Sequence, residues 1–111
     1  MRFEDVIRSR RTVRVYEDRP VPDQVIEEIL ALAQHAPSSM NGQPWHFIIV
    51  RDQRTRDRLV ELKNFFCPPE KQVFEADFIR KAPLVVFVCV DRARSFDRGI
   101  ENAVLATSYI L

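Results

Sequence analysis

Residues 36–50 of the 111-residue chain read APSSMNGQPWHFIIV, a polar loop that runs directly into an apolar segment. Within Trp45–Val50, four apolar residues follow one another, which is typical of a strand covered on both faces rather than of a half-exposed hairpin. A second run of this kind, Leu84–Val90, follows Pro83. Because helical sequence separates the two runs, the pattern predicts an α/β or α+β sandwich in which helices cover the strands.

Apolar residues recur at helical spacing on both sides of these strands. Asp23 is expected to cap the helix that follows Pro22, and Pro37 to end it, because proline disfavours helical geometry in the residue before it. The predicted helices are a short one that contains Phe3, Val6 and Ile7 and ends near Arg10, then 23–36, 55–63, about 70–80, and 100–111. An extended stretch is expected over 12–16.

Composition limits the classes of protein that the chain can belong to. With 17 basic and 16 acidic side chains and a hydrophobic content of 46%, it is expected to form one domain over residues 1–111, without the overall charge that attracts nucleic acid. No apolar run approaches the roughly 20 residues of a membrane-spanning helix. No secretory pattern precedes the charged start, so we expect a cytoplasmic protein in which Cys67 and Cys89 stay reduced.

A basic turn, Ser9–Arg14, offers guanidinium groups and a hydroxyl to an anion. Arginine gives paired, charge-assisted hydrogen bonds to phosphate oxygens. The competing interpretation is that these arginines only complement the end of a helix and pair with Glu4, Asp5 or Glu17. Gly42 and Gly99 are the only glycines, which excludes the glycine-rich nucleotide-binding loops. An RNA-binding patch on 10–14 and 92–98 is less favoured, because aromatic residues are not interleaved with the basic ones.

The order of these segments carries more information than each segment alone. A basic turn, a helix, a Pro-Ser-Ser-x-Asn-x-Gln-Pro-Trp loop and a buried strand follow one another. In this order the chain resembles the N-terminal half of the nitroreductase family of FMN-dependent oxidoreductases. The resemblance implies an α+β fold, a three-layer α/β/α sandwich with a central, mostly antiparallel sheet, and a chain that is apparently truncated.

The resemblance also implies a cofactor site at the interface of a homodimer. Arg10, Arg11 and Thr12 would contact the phosphate and ribityl chain of FMN, and Arg14 the pyrimidine edge of its ring. From the other subunit, Pro37, Ser38, Ser39, Asn41 and Gln43 would approach the same flavin. Family members pass a hydride from NADH or NADPH through the flavin to a nitroaromatic, quinone or similar acceptor, so no catalytic side chain and no metal is expected.

Two departures from the family leave alternatives open. The family's second half supplies a glycine-containing loop beside the flavin and a late basic residue on the phosphate, and neither has a counterpart before Leu111. If the chain ends there, we expect weak or no FMN retention and a tendency to aggregate. The alternatives to an active enzyme are therefore a flavin-binding relative without turnover and a truncated fragment without function.

Overall fold

The computed structural model describes residues 1–74 and 77–111 of the chain. The helices are α1 (Phe3–Ser9), α2 (Asp23–Ala33), α3 (Gln53–Phe65), α4 (Phe78–Lys81) and α5 (Gly99–Ile110). The strands are β1 (Trp45–Val50) and β2 (Val85–Val90), and short 3-10 turns cover Ser39–Asn41 and Pro69–Phe74.

The two strands pair antiparallel, with Trp45 opposite Val90 and Val50 opposite Val85. The connection between them, from Arg51 to Leu84, contains α3 and α4, which pack against each other. Helix α5 packs on both strands, and α2 packs on α5. Mixed helices with an antiparallel sheet confirm the predicted α+β class.

The core lies between β1, β2 and α5. Trp45 is buried with Ala36 and Ala106, and Phe47 and Val88 pack against this cluster. Phe47 and Val88 are also cross-strand neighbours, so one register pair contributes both side chains to the same face. This face of the sheet is the one that positions the loop before β1 relative to α5.

The prediction that both faces of the strands are buried is wrong for this chain. Ile48 and Phe87, which are paired across the sheet, are 52% and 39% exposed. Successive side chains of a strand point to opposite faces, so these two lie on the face away from Trp45 and Phe47. An unbroken apolar run shows that both faces of a strand are apolar, but it does not show that another element of the chain covers the second face.

Three local predictions also differ from the structure. Asp23 does not cap α2: Pro22 is the N-cap and makes no side-chain cap hydrogen bond among the described residues, and the Asp23 carboxylate instead pairs with Arg51. Helix α2 ends at Ala33 rather than at residue 36, and residues 34–36 form a turn before Pro37. The helix predicted over 70–80 is a 3-10 turn followed by the single turn α4, and residues 75–76 lie outside the described part of the chain.

Candidate functional site

The segment 38–43, here called the serine loop, is folded by hydrogen bonds within itself. The backbone N–H of Asn41 donates to the Ser38 carbonyl at 3.0 Å, and that of Gly42 donates to the Ser39 carbonyl at 2.9 Å. The Ser38 hydroxyl accepts from the Gln43 N–H at 3.0 Å, and the Gln43 side-chain amide donates to the Asn41 side chain at 3.1 Å. The serine loop is therefore a compact, internally hydrogen-bonded turn rather than an irregular linker.

Three residues of the serine loop have an unusual backbone conformation. Met40 and Asn41 both have a φ of 52°, and Gln43 has a φ of 46°. Residues other than glycine seldom adopt this left-handed region, and each instance costs free energy that the surrounding structure must offset. A loop with three such residues in four positions needs support from other parts of the fold.

That support comes from α5 and from the segment 91–98, which connects β2 to α5. The Asn102 side chain accepts a hydrogen bond from the Ser39 backbone N–H at 3.0 Å. The Asp91 N–H donates to the Pro44 carbonyl at 2.8 Å, directly after the loop. Gly42 lies against the Arg94 carbonyl, so closely that a Cβ atom there would collide with it.

Asn102 was not among the residues that the sequence motifs predicted for the site. It is 1% exposed, and its side-chain amide also donates to the Ser95 carbonyl at 3.2 Å. Asn102 precedes the fully buried Ala106 by one helical turn. The sequence did contain a signal for this role: Asn102 lies on the apolar face of a predicted helix, and a buried amide must find hydrogen-bond partners.

The basic turn is exposed, and its arginines have no carboxylate partners in the part of the chain that the structure describes. The neighbouring acidic groups pair with other arginines: Glu4 with Arg8, Asp5 with Arg2 and Glu17 with Arg19. Within residues 1–74 and 77–111, no ion pair involves Arg10, Arg11 or Arg14. The interpretation that these three serve to neutralise Glu4, Asp5 and Glu17 is therefore wrong.

Part of the basic turn complements the end of α1, as that interpretation also expected. One Arg11 nitrogen donates to the carbonyl oxygens of Arg8 and Arg10, at 2.7 and 2.8 Å. The last carbonyl groups of a helix lack hydrogen-bond partners within it, and a cation stabilises them.

The Arg14 guanidinium lies 5.9 Å from the centre of the Phe78 ring, within the range of a cation–π contact. Arg10 borders an apolar groove of about 480 Å³ between α1 and α5.

The predicted site residues thus form two separate groups in one chain. Arg10, Arg11, Thr12 and Arg14 follow α1, whereas Ser38, Ser39, Asn41 and Gln43 follow the exposed Pro37. Among the described residues, no hydrogen bond or ion pair joins the two groups. The resemblance assigned them to opposite subunits of a dimer, an arrangement that a single chain does not test.

Other kinds of site find no support in the part of the chain that the structure describes. No group of three or more His, Cys, Asp and Glu side chains there is arranged to hold a metal ion. The helices there are too short and too polar to cross a lipid bilayer. Cys67 and Cys89 are both free thiols.

Comparison with known proteins identifies the family. The family model described as "Nitroreductase family" matches residues 7–110, and the chain belongs to this family. A relative from Archaeoglobus fulgidus, whose name assigns it provisionally as an NADH dehydrogenase/NAD(P)H nitroreductase, is 36% identical over 109 residues. The 4-nitrobenzoate reductase of a Nocardioides species is 33% identical over 106 residues. Each alignment covers 96% of this chain, but only 57% of the first relative and 43% of the second.

A solved structure gives the same result for the fold. The FMN-dependent nitroreductase from Clostridium difficile R20291 superimposes with a TM-score of 0.81 at 30% identity. The match covers 97% of this chain and 57% of that protein. The nitroreductase fold is therefore present, and the chain spans about half of the length of the relatives that it matches.

Proposed function

We propose that this chain is part of an FMN-dependent oxidoreductase that uses NADH or NADPH to reduce a nitroaromatic, a quinone or a similar acceptor. Family membership supports the reaction class, and the C. difficile neighbour named as FMN-dependent supports the cofactor. The 4-nitrobenzoate reductase among the relatives supports a nitroaromatic acceptor. Both free thiols suit a cytoplasmic location.

The observation that carries this proposal is that Arg10, Arg11 and Arg14 form no ion pair with any carboxylate in residues 1–74 and 77–111. Guanidinium groups that are left without carboxylates while neighbouring arginines are paired are suited to an external anion. Arg10, Arg11 and Thr12 would hold the FMN phosphate and ribityl chain, and Arg14 would place its charge at the pyrimidine edge of the ring. Bound FMN would supply the hydride-transfer chemistry, and these residues would supply position and electrostatic stabilisation.

The serine loop would complete the site from the second subunit of a homodimer. Its hydroxyls and side-chain amides, on Ser38, Ser39, Asn41 and Gln43, suit the neutral polar atoms of a flavin ring and ribityl chain. Its three left-handed residues agree with a loop shaped for a ligand, since backbone strain is concentrated at binding sites. Apolar side chains of α1 and α5, such as Ile7 and Val104, remain exposed and would be covered by association of two chains.

Flavin binding by the purified protein tests this proposal. FMN is added, free flavin is removed, and bound flavin is measured by its visible absorbance and fluorescence. We expect Arg10→Gln and Arg14→Gln each to weaken FMN binding by about tenfold, the effect of losing a charge-assisted hydrogen bond. Arg8→Gln is the matched control, because Arg8 lies in the last turn of α1, just before the basic turn, but is already paired with Glu4. A colourless protein that takes up no added FMN would rule the proposal out.

Turnover is tested separately from binding. Bound flavin is reduced anaerobically with NADH or NADPH and then mixed with a nitroaromatic acceptor, while flavin absorbance is followed. Reduction and reoxidation would support the enzyme, whereas binding without either step would favour a flavin-binding relative without turnover. Sedimentation analysis with and without FMN measures whether a homodimer forms.

A further inference from the structure

We infer that Asn102 is a positioning residue for the flavin site, and that it acts by holding the serine loop in its binding conformation. The inference rests on the proposed function, because it assumes that the serine loop contacts FMN. It adds a residue from α5, 63 positions away from Ser39 in the chain, whose side chain accepts a hydrogen bond from the loop's backbone.

The two hydrogen bonds of Asn102 connect three parts of the fold. Its Oδ1 accepts from the Ser39 N–H at 3.0 Å, and its Nδ2 donates to the Ser95 carbonyl at 3.2 Å. Ser95 is itself 2% exposed, and its hydroxyl donates to the Asp91 carbonyl at 2.5 Å. Asn102 therefore joins the serine loop and the 91–98 segment to the first turns of α5.

The burial of Asn102 makes both hydrogen bonds matter. At 1% exposure, water cannot replace either partner, so the loss of one leaves a buried polar group unsatisfied. The Ser39 N–H lies at the start of the turn that contains Met40 and Asn41, both with positive φ. A hydrogen bond from the Ser39 N–H holds the backbone in place just before Met40 and Asn41. It therefore also sets the direction in which the hydroxyl and amide side chains of the serine loop point.

A merely structural role would give a different pattern of variant effects. Asn102→Leu has a similar shape but loses both hydrogen bonds. Asn102→Asp keeps the acceptor for the Ser39 N–H, but its carboxylate faces the Ser95 carbonyl and is buried without a counter-ion. If FMN affinity followed overall stability, Asn102→Asp would be the weaker binder, because a buried unpaired charge is costlier than a buried apolar group. If affinity follows the Ser39 contact, Asn102→Leu is the weaker binder.

The experiment measures the FMN dissociation constant and the thermal midpoint of the holoprotein for both variants. We expect Asn102→Leu to raise the dissociation constant by about tenfold and Asn102→Asp by less than about threefold, although Asn102→Asp should have the lower thermal midpoint. Val60→Ala is the matched control: Val60 is fully buried in α3 and distant in sequence from the serine loop, so its loss lowers stability. This control should leave the dissociation constant within about twofold of wild type.

The wild-type protein provides a readout that does not depend on variant folding. In an amide hydrogen-exchange experiment, the Ser39 N–H should exchange slowly before FMN is added, because its acceptor is preformed. Fast exchange at Ser39, or FMN affinities that follow the thermal midpoints, would overturn the inference while leaving the proposed function intact. Failure of the wild-type protein to bind FMN would instead overturn the proposed function, and this inference with it.

Discussion

Gly42 and the carbonyl oxygen of Arg94 approach so closely that no side chain fits between them. Gly42 has a φ of −67°, so its backbone conformation is open to any residue, and only the missing Cβ explains the glycine. The contact joins the serine loop to the 91–98 segment, which connects β2 to α5. It makes the shape of the serine loop depend on the segment after β2.

We predict that Gly42→Ala displaces the serine loop. The added methyl group would meet the Arg94 carbonyl and come within 3.1 Å of the Phe96 ring, so the backbone must move. We expect a loss of about 1–3 kcal/mol in the free energy of unfolding, measured by urea titration, together with weaker FMN binding. Gly99→Ala is the control, since its Cβ would lie 3.4 Å from Val90, an ordinary contact. Equal effects of the two substitutions would contradict the prediction.

Removal of the ligand's phosphate should show whether the basic turn binds it. We expect riboflavin, which lacks the phosphate, to bind about tenfold more weakly than FMN at low salt, and the difference to shrink as salt screens the exposed arginines. Arg10→Gln should reduce the preference for FMN without changing riboflavin binding. Isothermal titration at two salt concentrations measures both effects. An unchanged preference in Arg10→Gln would show that the phosphate is held elsewhere.

Arg56 should stabilise the fold rather than the site. It is 8% exposed, and its guanidinium donates to the carbonyl oxygens of Arg80 and Ala82 and to the Gln53 side chain, which ties α3 to the segment before β2. Arg56→Met leaves buried acceptors unsatisfied, so we expect a loss of about 1–3 kcal/mol in urea unfolding. The exposed Arg54 on the same helix is the control, and Arg54→Met should change stability by less than about 0.5 kcal/mol.

The N-terminus of α3 should make stability depend on pH in the acid range. Asp52 caps the helix: its carboxylate accepts hydrogen bonds from the Thr55 hydroxyl and from the Thr55 backbone N–H, both at 2.7 Å. These bonds lower the pKa of Asp52, the hydroxyl bond contributing most. A pKa lowered by folding adds stability above the unfolded value of about 3.9, and this stability is lost as the pH falls through the folded value.

Asp52→Ala tests this sign. The variant should have a lower thermal midpoint than wild type at pH 7, and the gap should close as the pH falls through the lowered pKa of Asp52. Asp18→Ala, which removes an exposed carboxylate elsewhere in the chain, is the control. A gap that is constant with pH would mean that Asp52 is not held as a charged cap.

Local sequence patterns predicted much of the fold. Strand β1 begins and ends at the predicted residues, and β2 differs only at Leu84. Helices α2, α3 and α5 lie where apolar residues recur at helical spacing. The pattern failed over 70–74, where Pro68 and Pro69 interrupt regular hydrogen bonding and favour a 3-10 turn.

The order of motifs in the sequence was enough to place the chain in its family. A basic turn, a serine loop and an apolar strand are local features, so each can be recognised from consecutive residues. Only the tertiary structure showed that Arg10 and Arg14 lack carboxylate partners among the described residues, that one face of the sheet is partly exposed, and that Asn102 contacts the serine loop. These properties depend on which distant groups meet in space. Hydrogen bonds and ion pairs between such groups have no periodic signal along the chain, so the fold decides them.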